Sequence, residues 1–205
     1  MAATTADFLP TRTFYILPHC SLTKSIQILN LTPHLTAPYT DPGFAAHAKQ
    51  VAKQGGVAPC ITVQKANLLG TRYMVLDPTD NNRELATWKA PLTSFGSSHI
   101  SFPPGSRHSS HAITLSSFLK TFTHNSTPYA WQHGHLLHRN RFSLWMELPT
   151  GERRLVARYW QGCDWRTGGT VVLDGEQVDE LVALITCVAI LKRKRQRQSE
   201  SAGGR

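Results

Sequence analysis

Long hydrophobic runs, paired cysteines and acidic side chains are scarce in this 205-residue sequence. Its longest uncharged apolar stretch, from Leu181 to Leu191, has 11 residues before a cationic block begins. A membrane-spanning helix needs about 20, so no transmembrane span is expected. The four cysteines, Cys20, Cys60, Cys163 and Cys187, are far apart and form no Cys-x-x-Cys pair. Four reduced thiols are the expectation. No basic-plus-apolar leader opens the chain. An intracellular protein is expected, in the cytoplasm and at the membrane periphery, with the nucleus as an alternative. The sequence has no Gly-x-Ser-x-Gly, no P-loop and no Gly-x-Gly-x-x-Gly. We therefore expect no enzyme, no catalytic residue and no cofactor.

Histidine is the one metal-ligand type that clusters. His133, His135 and His138 lie close together, and His108 and His111 have His-x-x-His spacing. Zinc sites usually recruit cysteine or carboxylate helpers, and none is near His133 to His138. The expectation is polar loop histidines and no metal.

Acids are few: 13 Asp and Glu against 22 Lys and Arg, for a net charge of +9. From Lys192 to Arg205 there are six basic residues and one acid, a net +5. That imbalance favours an anionic partner.

What the sequence does have is strand grammar. Alternating apolar and polar residues bounded by Pro, Gly and Asn turns predict strands near 13–17, 25–29, 60–64, 71–77, 84–89, 97–102, 111–115, 127–132, 141–148, 152–160 and 170–173. In 141–148, Phe142, Leu144, Met146 and Leu148 share one face. On the return, Leu155, Ala157 and Tyr159 are expected to do the same. Residues 1–11 read as a flexible N-terminus. Residues 30–58 read as an irregular insertion, with a short helix near 44–53, and 196–205 as a basic disordered tail. The main domain is expected over 12–195. Asp174 followed by Gln177 resembles a capping box and predicts where the last helix starts. From Leu181 to Leu191 that helix is apolar on every side, so it must be surrounded. A curled sheet of the same chain is the expected wall.

Two hairpins are alike, one built from Arg72 to Trp88 and one from Arg141 to Trp160. A duplicated half-barrel would explain them. The Tyr73-x-Val75-x-Asp77-Pro78 strand and turn, the late Val171-Val172-Leu173-Asp174 strand, and the helix Asp179-Glu180-Leu181-Val182-Ala183-Leu184-Ile185 with its basic end form a recognisable layout. Over roughly 60–195, plus 13–17, the chain resembles the tubby C-terminal-like superfamily: tubby-like, LURP-one-related and phospholipid scramblase proteins. The resemblance implies a mainly β fold, a closed antiparallel β-barrel of about 12 strands around a central hydrophobic C-terminal α-helix. It also implies a non-enzymatic role. Tubby proteins bind phosphoinositides through a basic surface, and scramblases act at membranes. The scramblase cysteine-rich run and acidic calcium segment are absent here.

On the residues themselves, Lys192, Arg193, Lys194, Arg195 and Arg197, joined by Arg153, Arg154 and Arg158, are the candidate anion-binding set. Their expected ligand is the headgroup of an anionic phospholipid, with about 1 kcal/mol available per basic residue near such a surface. A barrel that binds protein partners, with the basic tail as a nuclear localisation signal, is the alternative. Nucleic acid is disfavoured, because Trp131, Trp145, Trp160 and Trp165 do not interleave with Lys and Arg as in an RNA-binding module.

Overall fold

The computed structural model describes residues 3–4, 8–19, 24–93, 96–108, 112–116, 119–134, 141–161 and 167–202. Cys20, His111, His135, His138, Cys163 and Trp165, and the tail beyond 202, lie outside the described residues. The elements are β1 (Ala3–Thr4), β2 (Arg12–His19), β3 (Ser25–Asn30), α1 (Phe44–Gln54), β4 (Pro59–Lys65), β5 (Arg72–Asp77), β6 (Arg83–Lys89) and β7 (Ser98–Ser101). They continue with β8 (Ile113–Leu115), β9 (Thr121–His124), β10 (Thr127–His133), β11 (Arg141–Glu147), β12 (Arg153–Gln161), β13 (Thr167–Leu173) and α2 (Glu180–Ala202).

Twelve strands form one antiparallel path in the order β8-β7-β6-β5-β4-β3-β2-β13-β12-β11-β10-β9, and β1 lies parallel against β12. The path curls until its two ends meet. Between them the Ser116 amide donates to the Thr121 carbonyl at 3.0 Å. The barrel is thus nearly closed. The two similar hairpins, β5–β6 and β11–β12, lie six positions apart along the path. Each carries one register shift, at Val75/Leu76 and at Leu144/Trp145. That placement suits a barrel of two like halves.

The core is the lumen, and α2 fills it. Every residue from Val182 to Leu191 is at most 3% exposed. The helix packs into one cluster with inward side chains of the wall, among them Phe14, Ile28, Val63, Val75, Trp88, Ile100, Leu115, Phe142, Leu144 and Tyr159. Thr186, the one hydroxyl in that run, accepts from Trp131 Nε1 at 3.1 Å and donates to the Val182 carbonyl at 2.7 Å. The buried Trp131 donor is thereby satisfied. No described helix is long and apolar enough to cross a membrane.

Several expectations need correcting. The helix begins at Glu180, and its cap is Asp179: Asp179 Oδ1 accepts from the Val182 amide at 3.1 Å. Asp174 closes a turn just before it, accepting from the Glu176 amide at 3.1 Å. Two Asp residues competed, and the one immediately before the apolar run won. At the other end the helix continues through Ala202, so 196–202 is helical rather than disordered. On β12 the face assignment slips. Leu144 pairs with Ala157 but Trp145 with Leu155, which leaves Val156 as a bulge. Val156 and Ala157 both join the lumen cluster, and Leu155 turns outward to Trp145, Phe8 and Phe44. β9 had no predicted counterpart.

The 30–58 segment has a packing job. Ala48, with Val51, Ala52 and Val57, covers the outward Tyr15 and Leu29 of β2 and β3. Phe44 and Phe8 cover Leu155 and Val172 on β12 and β13. These strands are apolar on both faces, and α1 with its flanks keeps the outer face dry.

Candidate functional site

The last turns of α2 emerge between the loops at one mouth of the barrel. A helix turns about 100° per residue, so its basic run cannot form one patch. Lys192, Arg195, Gln196 and Ser199 share one side. Arg193, Lys194 and Arg197 share the other.

The first side lines an open cavity of about 380 Å3, together with Lys24, Lys65, Leu68, Leu69, Tyr73 and Leu92. Among the described residues four cations line it and no carboxylate does. Lys192 is held in place: its Nζ donates to the Gly70 carbonyl and lies 4.4 Å from the Tyr73 ring centroid and 5.3 Å from that of Trp88. Arg195 Nη1 donates to the His19 carbonyl at 2.9 Å. Burial, with Lys65 and Arg193 nearby, pushes Lys192 down to about 8. Burial also lowers His19, opposed by its bond to the Leu17 carbonyl and assisted by Arg195.

Around this mouth stand exposed leucines. Leu68, Leu69, Leu92 and Leu119 are each at least 65% exposed. They occupy the β4–β5, β6–β7 and β8–β9 loops. Those loops are tied to the end of α2, since Gly70 accepts from Lys192, Leu92 from Gln196 and Leu115 from Arg193. The turn carrying Leu68 and Leu69 is built on Asn67, whose Oδ1 accepts from the Thr71 and Arg72 amides at 3.0 Å. A fixed turn therefore presents two leucines to solvent. Leu9, the fifth exposed leucine among the described residues, precedes β2 at the far end.

On the other side of the helix, Arg193 is only 4% exposed. Its Nη2 donates to Ser98 Oγ at 3.0 Å and to the Leu115 carbonyl at 3.1 Å, while Nε and Nη1 have no partner. Burial, then Arg197, pushes it down to about 10. Lys194 Nζ donates to Gln161 Oε1 at 2.9 Å.

No family model, curated protein or solved structure matches the chain.

Of the predicted set, the structure brings Lys192, Arg193, Lys194, Arg195 and Arg197 to one mouth and leaves the hairpin arginines apart. Arg154 donates to Gln177 Oε1 at 3.3 Å beside the start of α2, at the opposite mouth. Arg153 lines an outer hollow with Trp145 and Glu147. Arg158 lies outside, 5.7 Å from the Phe8 ring centroid and 6.0 Å from that of Tyr39. Arg193 itself is closed off from solvent. Sequence reasoning missed Lys24, Lys65, Lys120 and the leucines. The signal available was Leu68-Leu69 inside an Asn-to-Gly turn, where polar residues are the norm. Among the described residues no group of three His, Cys, Asp or Glu is placed to hold a metal.

The crowded cations give stability an unusual pH profile. Lys192 and Lys120 are pushed down to about 8. Between pH 8 and their ordinary range the unfolded chain holds protons that the folded one has released, so stability rises with pH. Above pH 9 this is opposed, because burial holds Cys60 up at about 11. On the acid side burial and neighbouring cations push His133 down to about 4. The unfolded chain binds that proton first, so stability falls from about pH 6.5 toward 4. Thermal melts across this range are expected to show stability rising above pH 8, less steeply above pH 9, so that the maximum lies on the alkaline side rather than near neutrality.

Proposed function

We propose that this barrel is a non-enzymatic peripheral membrane protein whose α2 mouth docks on anionic phospholipid headgroups, phosphoinositides included. The observation that carries the reading is the coincidence of two features at one mouth. A cavity lined by four cations sits beside the exposed leucines Leu68, Leu69 and Leu92, with Leu119 on a neighbouring loop. A headgroup phosphate matches the cavity, and the acyl boundary beneath it matches the leucines. Charge and apolar burial then add. Each basic residue near an anionic surface contributes about 1 kcal/mol, and each leucine buried on docking about 1.5–3 kcal/mol. The sequence's resemblance to tubby-like proteins would imply the same class of role, but it supplies no site residue. The nuclear-signal alternative is disfavoured, because 192–197 is helical and half-buried or buried.

Vesicle co-sedimentation tests the reading. Wild-type protein is expected to bind phosphatidylcholine vesicles containing phosphatidylinositol 4,5-bisphosphate and to ignore phosphatidylcholine alone. Lys24→Gln with Lys65→Gln should weaken binding roughly 30-fold. Leu68→Ser with Leu69→Ser should remove the part that survives high salt. Equal binding of wild type to both vesicle types at low salt would sink the proposal.

A further inference from the structure

Ser199 lies on the cavity side of α2, close to where that helix ends. It follows Lys192 by seven residues and Arg195 by four, so the three share one face. All three line the cavity with Lys24 and Lys65. The Ser199 hydroxyl donates to the Gln196 carbonyl at 2.9 Å. The Gln196 side chain is in turn bonded to the Leu92 carbonyl of the cavity rim. Ser199 itself is exposed, whereas Lys192 to Arg197 are half-buried or buried.

The residues before it have a second property. Arg193, Arg195 and Arg197 stand six, four and two positions ahead of Ser199. Protein kinases that select basic residues ahead of their acceptor serine read such a pattern with carboxylates. A kinase also needs its acceptor in extended chain. Ser199 is in the last turn of α2, which ends at Ala202. The final four carbonyls of a helix have no intrahelical partner, so such a turn opens at little cost.

We infer that Ser199 is a phosphorylation site whose phosphate seats in the cavity and closes it to a lipid headgroup. The kinase supplies the terminal phosphoryl group of ATP. The bond from that phosphorus to the ADP oxygen breaks, a bond to Ser199 Oγ forms, and the hydroxyl proton leaves to solvent. The product carries about 1.5–2 negative charges and three acceptor oxygens. An anion at the C-terminal end of a helix loosens the last turn, which frees the phosphate to swing toward Arg195, Lys24 and Lys65. Those cations need not be idle: a phosphate tethered to the same helix competes at high local concentration with whatever they hold. This site rests on the headgroup reading of the cavity and gives it an off-switch, since basic segments leave membranes when phosphate cancels their charge.

Full-length protein carrying phosphoserine at position 199, or at position 201 as control, tests the seat. Ser201 stands to Arg197 as Ser199 does to Arg195, and its hydroxyl donates to the Arg197 carbonyl at 2.9 Å. The control thus has the same arginine one turn back, but Ser201 does not line the cavity. Phosphorus NMR follows each phosphate through its second ionisation, ordinarily at about pH 6. The Ser199 phosphate is expected to titrate below the Ser201 phosphate, and Lys24→Gln with Lys65→Gln should bring the two together. On phosphatidylinositol 4,5-bisphosphate vesicles the Ser199 phosphate should weaken binding roughly 30-fold, and the Ser201 phosphate less than about tenfold. Unmodified full chain, incubated with ATP and the catalytic domain of protein kinase C, should take up phosphate on Ser199 by peptide mass spectrometry. Equal midpoints at the two positions, a Ser199 midpoint indifferent to Lys24 and Lys65, equal vesicle losses, or no phosphate on Ser199 overturns the inference. Failure of the unmodified protein to bind vesicles overturns the headgroup reading instead, and the phosphorus titration still decides where the phosphate sits.

Discussion

Val188→Asp is expected to yield no folded protein at neutral pH. Val188 is fully buried midway along the lumen run of α2 and packs into the lumen cluster. The substitution forfeits about 1.5–3 kcal/mol of apolar burial. It also places a carboxylate where desolvation costs several kcal/mol even after relaxation. A domain of this size has about 5–15 kcal/mol in hand, so the sum consumes most or all of it. Gln198→Asp, on the exposed continuation of the same helix, is the control. It should change stability by less than about 0.5 kcal/mol. Circular dichroism reports the helix, and tryptophan emission reports the fold, because Trp88 and Trp131 are buried at 0% and 2% exposure. A Val188→Asp variant that melts within a few degrees of wild type would show that the helix is not enclosed.

Arg193→Met is expected to go the other way. The guanidinium is almost fully covered and, among the described residues, meets one hydroxyl and one carbonyl. Replacing buried ionic groups with apolar ones of similar volume is often neutral or stabilising by about 1–4 kcal/mol. Met keeps the volume and loses the charge. Ser98 Oγ is left to find another partner, and the site is near the mouth, so a gain of about 1–2 kcal/mol is expected. For a chain of this length that is roughly 2–8 °C in melting temperature. The same variant should bind anionic vesicles less well. A stabilised but weaker-binding protein would mark Arg193 as retained for its charge and not for the fold. A melting temperature lowered by the substitution would mean that its two hydrogen bonds outweigh the burial of the charge.

The enclosed helix was legible because Val182 to Leu191 has no polar side. The lumen face of β11 was legible because Phe142, Leu144 and Met146 alternate cleanly. The slip on β12 was not. A bulge at Val156 adds one residue to one strand, and nothing in Arg-Arg-Leu-Val-Ala announces it. The error over Arg153 and Arg154 was avoidable, since neighbours on a strand point to opposite faces. The same rotation argument splits Lys192 from Lys194 on a helix. Lys24, Lys65 and Lys120 were beyond reach. Lys24 and Lys120 are lone lysines in loops and Lys65 ends β4, and only closure of the ring sets them around one opening. That is a property of long-range pairing, invisible to any local window.

The order of the wall and its filling has a consequence for synthesis. β2 through β13 all leave the ribosome before α2 does, so every inward side chain from Phe14 to Leu173 waits for a segment that has not yet been made. Until it arrives the nascent sheet has greasy strands with no plug, the kind of intermediate that sticks to others of its kind. A pause or a stop codon between Leu173 and Leu191 should therefore be far more damaging than its few missing residues suggest. The cell would see an aggregate, or a client for its chaperones, in place of a slightly shortened protein.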